Sequence, residues 1–260
     1  MAYERILLEF EGDVAILSLN HAETRNALSW ALAAELCDAL DKLGSARALV
    51  LTGTGKGFCS GGDMSSEVAE GQGFGDMLKQ GLDQTVNPAL RKLAALDIPV
   101  ICAVNGAAAG AGVPLALSAD FVLAGESSFF FMAFPNVGLA LDAGASWLLP
   151  RLIGTARATE ALILSERIPA AKAQDWGMIY KVVPDADLLA EAKALAARLA
   201  AGPTVAYGLI RKAIRAGQSS SYDAALECEV EAQRVSGNSN DCAEAVSAFL
   251  EKRAPVFRGE

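Results

Sequence analysis

The sequence predicts an α/β fold: a parallel sheet with helices packed outside it, and a purely helical segment appended at the C-terminal end. Three observations point there. Short apolar runs suited to buried strands (Ala48 to Leu51, Val100 to Val104, Phe121 to Ala124) alternate with glycine-rich loops and helical stretches, the pattern of parallel strands joined by right-handed crossovers. From about Leu188 onward the pattern becomes helical only. The 260 residues, 52% hydrophobic and 20% charged, exclude a disordered chain and are enough to build a full core without metal or disulfide staples.

Tyr3 to Phe10 and Val14 to Leu19 are β-rich runs joined by Glu11-Gly12-Asp13, a hairpin by composition and spacing. Ser29 is a good N-cap for a helix whose stripe is Leu32, Leu36, Leu40 and Leu43 and which ends at Gly44. The strand Ala48 to Leu51 empties into the loop Gly53 to Gly62. A helix is expected from about Met77 to Leu96, and the strand Val100 to Val104 empties into a second glycine loop, Gly106 to Gly112. The run Val68 to Gly75, with Gly71, Gly73 and Gly75, reads as a mobile flap. Helices follow at Leu188 to Leu199, Val205 to Ala216, Tyr222 to Val235 and Asp241 to Lys252; their apolar residues, Leu226, Val230, Val246 and Leu250 among them, must bury against the core or another subunit.

Composition narrows the function. A net charge of −9 is repelled by phosphate backbones, so nucleic acid is a poor partner. The apolar stretches are too short or too broken by Gly and Pro to cross a bilayer, and Glu9 and Glu11 stand where a signal peptide needs an apolar block; the expectation is a soluble cytoplasmic protein without a targeting segment. Five scattered cysteines, never C-x-x-C, fit a reducing compartment rather than a disulfide framework or zinc finger. The single histidine, His21, removes every two-His metal site and reads as a loop residue.

Gly53-Thr54-Gly55-Lys56-Gly57 lacks the third glycine of a dinucleotide loop, and Lys56 precedes a glycine, so neither nucleotide motif is met. The two glycine loops share another property: each follows a buried strand and leaves backbone N–H groups unobstructed where a helix begins. Two such loops converging would make an oxyanion hole, although small residues after strands also serve simple tight packing. Asp142, in an apolar stretch before a helix, is either an N-cap or a carboxyl whose raised pKa suits proton transfer. Asp63 and Asp120 read as structural, Cys59 as a poor nucleophile for want of a base, and Arg211, Lys212 and Arg215 as a solvated helix face. Phe129, Phe130, Phe131 and Phe134 hint at an apolar pocket, yet alternate rings of a strand also enter the core.

The segment Gly53 to Met64, followed about forty residues later by Pro99 to Gly112, resembles the crotonase (enoyl-CoA hydratase/isomerase) superfamily. The likeness extends to Asn20–Leu28, Asp142–Gly154, Ala171–Val183 and Glu251–Phe257. It implies a spiral of ββα turns over residues 1–198 that binds a coenzyme A thioester, and a helical region, 199–260, that makes homo-trimers or hexamers. It implies Gly62 and Ala111 as the oxyanion donors. Arg25, Ala27, Asp63, Met64 and Ser65 would line the path of the CoA, with Lys252 and Phe257 reaching one bound by this or a neighbouring subunit. No metal and no separate cofactor is implied, coenzyme A being part of the substrate.

Departures from the family pattern narrow the reaction. The two glutamates of its hydratases are matched here by Pro114 and Phe134, neither of which moves a proton. Asp142 falls where the isomerase branch and an aromatic dehalogenase branch carry an acid, but the histidine and tryptophan of the dehalogenases are matched by Asn87 and Phe134. The patterns at Asn87–Arg91 and Asp142–Arg151 resemble those of phenylacetate-type ring-degradation enoyl-CoA isomerases. The expectation is an isomerase acting through a thioester enolate, with Asp142 as its acid/base. The alternatives are a hydratase with a relocated acid/base and a non-catalytic acyl-CoA-binding subunit. Asn87, Asp63 and Glu67 are the next polar residues to consider.

Overall fold

The computed structural model describes residues 3–65, 68 and 70–260; Glu67, and Ala69 of the glycine-rich loop read as a flap, lie outside the described residues. Its strands are β1 (Ile6–Glu11), β2 (Val14–Leu19), β3 (Ala48–Gly53), β4 (Gly57–Cys59), β5 (Val100–Val104), β6 (Ala107–Ala109), β7 (Phe121–Gly125), β8 (Phe129–Phe131), β9 (Ile168–Pro169) and β10 (Lys181–Val183). The helices are α1 (Trp30–Ala39), α2 (Phe74–Gly81), α3 (Asn87–Ala95), α4 (Gly112–Leu117), α5 (Ala145–Thr159), α6 (Ala170–Asp175), α7 (Leu188–Ala200), α8 (Thr204–Gly217), α9 (Tyr222–Gly237) and α10 (Asn240–Glu251).

A large sheet runs in the order β1-β2-β3-β5-β7-β10 and a small one in the order β4-β6-β8-β9. Pairing is parallel except in the β1–β2 hairpin and between β8 and β9. Three successive turns have one form: β3-β4 then α2 and α3, β5-β6 then α4, β7-β8 then α5. Each turn lays one strand in each sheet before its helix, the crotonase spiral. Apart from the phenylalanine run of β8, the small sheet escapes sequence reading because its strands are two or three residues long, too short to show a period, and β4 and β6 sit inside the glycine loops.

Alternation along the central strands splits the core in two. Ala15, Leu17, Leu49, Leu51, Cys102 and Val104 face the main core, whereas Val14, Ile16, Ala48, Val50, Ile101 and Ala103 face α7. That helix answers with Leu188, Ala192, Ala196 and Ala200, one residue every four, small enough to let it lie close on the sheet. Ser29 caps α1 as expected, its side chain accepting from Leu32 N. The expected Met77–Leu96 helix is α2 and α3 joined through a π-turn at Leu82–Val86.

The cations of α8 are not a solvated face. Arg211 is 6% exposed and donates from Nε to Asp120 Oδ2 at 2.6 Å and from its terminal nitrogens to the carbonyls of Leu96 and Leu93. Asp120 Oδ2 also accepts from Val100 N, at 2.8 Å, and Arg215 donates to Ser118 O. Lys212 alone of the three is exposed, paired with Asp97. Helical periodicity cannot foresee this, because the partner Asp120 stands 91 residues away. Beyond α8 the chain buries little: α9 has no buried residue, and Val230, Phe249 and Leu250 are among its and α10's exposed apolar side chains.

Removing one member of a buried ion pair leaves the other without a partner, so Arg211→Met is expected to lower stability by about 3 kcal/mol in urea unfolding. A loss below about 1 kcal/mol would show that α8 is held by its apolar contacts instead.

Candidate active site

The two glycine loops meet because β4 and β6 are parallel neighbours. Gly61, at φ +95°, brings its α-carbon so close that an added Cβ would stand 3.0 Å from Ala109 O and 3.4 Å from the Gly110 α-carbon. The residues that follow, Gly62 and Ala111, are thereby set side by side on one cavity of about 550 Å³. Neither of their N–H groups donates a hydrogen bond to another described residue. A helix begins only after the second loop, where Ala111 is the N-cap of α4; Gly62 pairs in a lone bridge with Leu28, and the next helix starts at Phe74. What the loops share is free backbone donors, not two helix ends.

A short loop before α1 braces this arrangement. Asn26 is fully buried with φ +57°; its Nδ2 donates to Thr54 O and Gly57 O at 2.9 Å each, and its Oδ1 accepts from His21 N at 2.8 Å. Ser60 N donates to Arg25 O and Leu28 N to Gly61 O, so Arg25 and Ala27 run beside the first donor loop. Sequence reading did not single out Asn26, which falls within the Asn20–Leu28 segment of the family likeness. Its signal was an amide between two runs that need their carbonyls satisfied.

Three carboxylates among the described residues line the cavity: Asp63, Asp83 and Asp142. Asp63 accepts from Ser65 N and Oγ, and those bonds hold its pKa below the ordinary carboxylate range. Asp83 pairs with Lys79 at 2.8 Å. Asp142 differs: its Oδ1 is buried and accepts no hydrogen bond, and burial pushes its pKa up to about 6. It is not a helix cap. Gly144 takes that position in front of α5 with no side-chain bond, and Asp142 contributes only its backbone carbonyl, to Ala145 N.

Met64, Asn87 and Phe134 share this cavity, whereas Pro114 is buried within α4. Of the phenylalanine run, only Phe134 reaches the cavity; Phe130 is core and Phe129 lies under Arg167. Cys59 is buried beneath Gly112, its thiol pushed up to about 11 by desolvation, which removes it as a nucleophile. Lys252 and Phe257 do not line the cavity: Lys252 is the left-handed C-cap of α10, and Phe257 O accepts from Arg47 in the tail folded along the molecule. No group of three or more His, Cys, Asp or Glu among the described residues could hold a metal ion. A larger depression, about 980 Å³ between α8 and α9, is lined mainly by apolar side chains, with Glu229, Gln233 and Ser236 of α9 as its polar members. The smaller cavity combines two free N–H groups with one unpaired carboxyl of raised pKa, groups that could together form and hold an enolate.

Known proteins agree with the fold. The sequence model of the enoyl-CoA hydratase/isomerase family matches residues 9–260. A protein of Escherichia coli (strain K12) named 1,2-epoxyphenylacetyl-CoA isomerase is 43% identical over 260 residues, 99% of each chain. A Rhodobacter capsulatus protein named "Probable enoyl-CoA hydratase" is also 43% identical over 260 residues, 100% of each. The crystal structure of an enoyl-CoA hydratase from Polaromonas sp. JS666 superposes with a TM-score of 0.91 at 35% identity, covering 97% of this chain and 99% of that one. With its spiral, its paired donor loops and relatives matched from end to end, the chain belongs to the enoyl-CoA hydratase/isomerase family.

Proposed function

We propose that the protein is an enoyl-CoA isomerase that moves a double bond through a thioester enolate. The observation that carries this reading is the Asp142 carboxylate, buried at Oδ1 without a partner in the cavity that also holds the free N–H groups of Gly62 and Ala111. A buried, unpaired polar oxygen costs on the order of 1–3 kcal/mol; among the described residues Asn105 Oδ1 is the other such atom, and it does not line this cavity.

In the proposed reaction the thioester oxygen of a 3-enoyl-CoA accepts from Gly62 and Ala111. Asp142 removes a proton from the α-carbon, the electron pair passes through the thioester to give a dienolate, and the same carboxyl returns the proton to the γ-carbon. The product is the 2-enoyl-CoA, with no atom gained or lost. Each oxyanion donor is worth roughly 3–4 kcal/mol toward a charge that a carboxylate alone could not raise in water. A carboxyl with a pKa near 6 is a stronger base than an ordinary aspartate and still ionised at neutral pH. Arg25, Ala27, Asp63, Met64 and Ser65 would follow the CoA, and Lys252 and Phe257 would meet it only if the tail of this or a neighbouring subunit extends to it.

The relative named as a hydratase keeps hydration as the second reading. Against it stand Pro114 and Phe134 at the positions of the hydratase glutamates, and the partners already bound by Asp63 and Asp83. The non-catalytic reading needed Asp142 as a cap, and it caps nothing. No metal or separate cofactor is required by a proton shift. We place its action in the cytoplasm; five free cysteines support a reducing compartment, and no described helix is long and apolar enough to cross a membrane. The exposed apolar side chains of α9 and α10 support a homo-trimer or hexamer built by residues 199–260.

Asp142→Asn is expected to keep acyl-CoA binding and lose roughly two to four orders of magnitude in conversion of 3-hexenoyl-CoA to the 2-enoyl form, followed at the thioester absorbance. In the wild type, kcat/KM should rise through pH about 6 and level off above it, because the ionised carboxylate is the base. A variant as fast as the wild type would sink the assignment.

The same carboxyl affects stability. Its folded pKa lies above its unfolded one, so its favourable contribution is fully present below about pH 3.8 and is lost as pH rises to about 6. Asp142→Asn should therefore match the wild type at pH 3.5 and exceed its unfolding free energy by about 1–2 kcal/mol at pH 8, the figure being discounted for partial solvent screening. Equal stability at both pH values would mean that the carboxyl is well solvated. Truncation after Ala200 should abolish the oligomer, and a well-folded truncated trimer in sedimentation would contradict the assembly role.

A further inference from the structure

Trp30 opens α1 and its indole lies against the outer helix of the cavity, where that helix carries Gly81. A Cβ on Gly81 would stand 2.5 Å from Trp30 Cε2 and Cζ2 and 2.6 Å from Cδ2, so the ring occupies the space that any larger residue would take. The contact falls at the last α-helical residue before the π-turn Leu82–Val86, and Thr85 Oγ1 donates to Gly81 O at 2.7 Å, satisfying a carbonyl beside the irregular turn. In a regular α-helix, side chains four residues apart drift by about 40° per turn; the extra residue of a π-turn takes up that drift. Lys79, Asp83 and Asn87, spaced by four, thus all stay on the cavity wall.

Of the three tryptophans only Trp30 lines the cavity; Trp147 and Trp176 are stacked with Arg151 and with Arg157 and Lys172. Trp30 is otherwise packed against the main core, so the cavity is the open space into which it could move.

The structure assigns to Trp30, seated on Gly81, the role of setting how large an acyl group the cavity accepts. This rests on the acyl-CoA reading of the site. The indole forms a rigid apolar wall, and the absent Cβ at Gly81 fixes how far that wall stands from the centre of the cavity. A side chain at position 81 drives the ring inward and shortens the space, whereas removing the ring lengthens it.

Butyryl-CoA and decanoyl-CoA test this, because neither undergoes the double-bond shift and calorimetric affinities therefore report pocket size apart from turnover. Gly81→Ala is expected to weaken decanoyl-CoA relative to butyryl-CoA by about tenfold or more, and Trp30→Ala to favour decanoyl-CoA by a similar factor, since apolar pockets discriminate by that much for small changes in volume. In the Gly81→Ala/Trp30→Ala double variant, the alanine at 81 should leave the ratio of the two affinities where Trp30→Ala alone puts it. Should Gly81→Ala fail to fold by circular dichroism, Trp30→Phe and Trp30→Ala carry the comparison. Both ligands bound with an unchanged affinity ratio in the folded variants would overturn this inference and leave the proposed function standing. A wild-type protein that binds neither would overturn the proposed function, and this inference with it.

Discussion

The site depends on the approach of two backbones. Gly61 passes the Ala109–Gly110 backbone with too little room for a side chain of its own, because β4 and β6 are parallel neighbours with a shifted register and each is followed by a glycine at positive φ, Gly61 and Gly110. A Cβ at Gly61 would press on the carbonyl of Ala109 and would also have to adopt φ +95°, a conformation costly to any other residue. The pairing of β4 with β6, the bracing by Asn26 and the large sheet behind them hold Gly62 and Ala111, the donors we propose, at one spacing. An oxyanion hole is useful only if its donors are fixed before charge develops, and this part of the molecule is built for rigidity.

The other wall is made differently. Asp142 sits half-buried beside α5 with apolar neighbours and nothing to hydrogen-bond at Oδ1, so its charged form is disfavoured. Asp63 and Asp83 line the same cavity, yet Ser65 and Lys79 stabilise their charged forms and hold their pKa values low. Three carboxyls of one chemical type are thus separated by environment alone, and the one without partners is the one suited to accept a proton. A carboxyl poised this way destabilises the fold when ionised, a cost the core must offset elsewhere.

The strands, the glycine loops and the isolated position of Asp142 were legible because each carries a local signal: apolar runs before glycines, and a lone acid in an apolar stretch. Motif likeness extended that to Gly62 and Ala111, which no composition argument distinguishes from their neighbours. Other features were hidden for definite physical reasons. The small sheet has strands too short for periodicity, and the π-turn at Leu82–Val86 leaves the apolar spacing of its helix nearly unchanged. Arg211 has the pattern of an exposed cation, and only the fold brings Asp120 and two carbonyls to it. Asp142 has the position of a cap, but Gly144, at φ +84°, turns the chain before the helix and leaves the carboxyl to the cavity.

The central claim is that the site shifts a proton within the substrate and adds nothing to it. Incubating 3-hexenoyl-CoA with the protein in deuterated water enriched in oxygen-18, and reading the acyl product by mass spectrometry and deuterium NMR, tests this most directly. The account predicts 2-hexenoyl-CoA with deuterium at the γ-carbon, to the extent that the Asp142 proton exchanges with solvent, and no oxygen-18 in the acyl chain. No reaction of 3-hexenoyl-CoA, with 2-hexenoyl-CoA in the same medium giving a 3-hydroxyacyl product that carries oxygen-18, would contradict it and make the protein a hydratase.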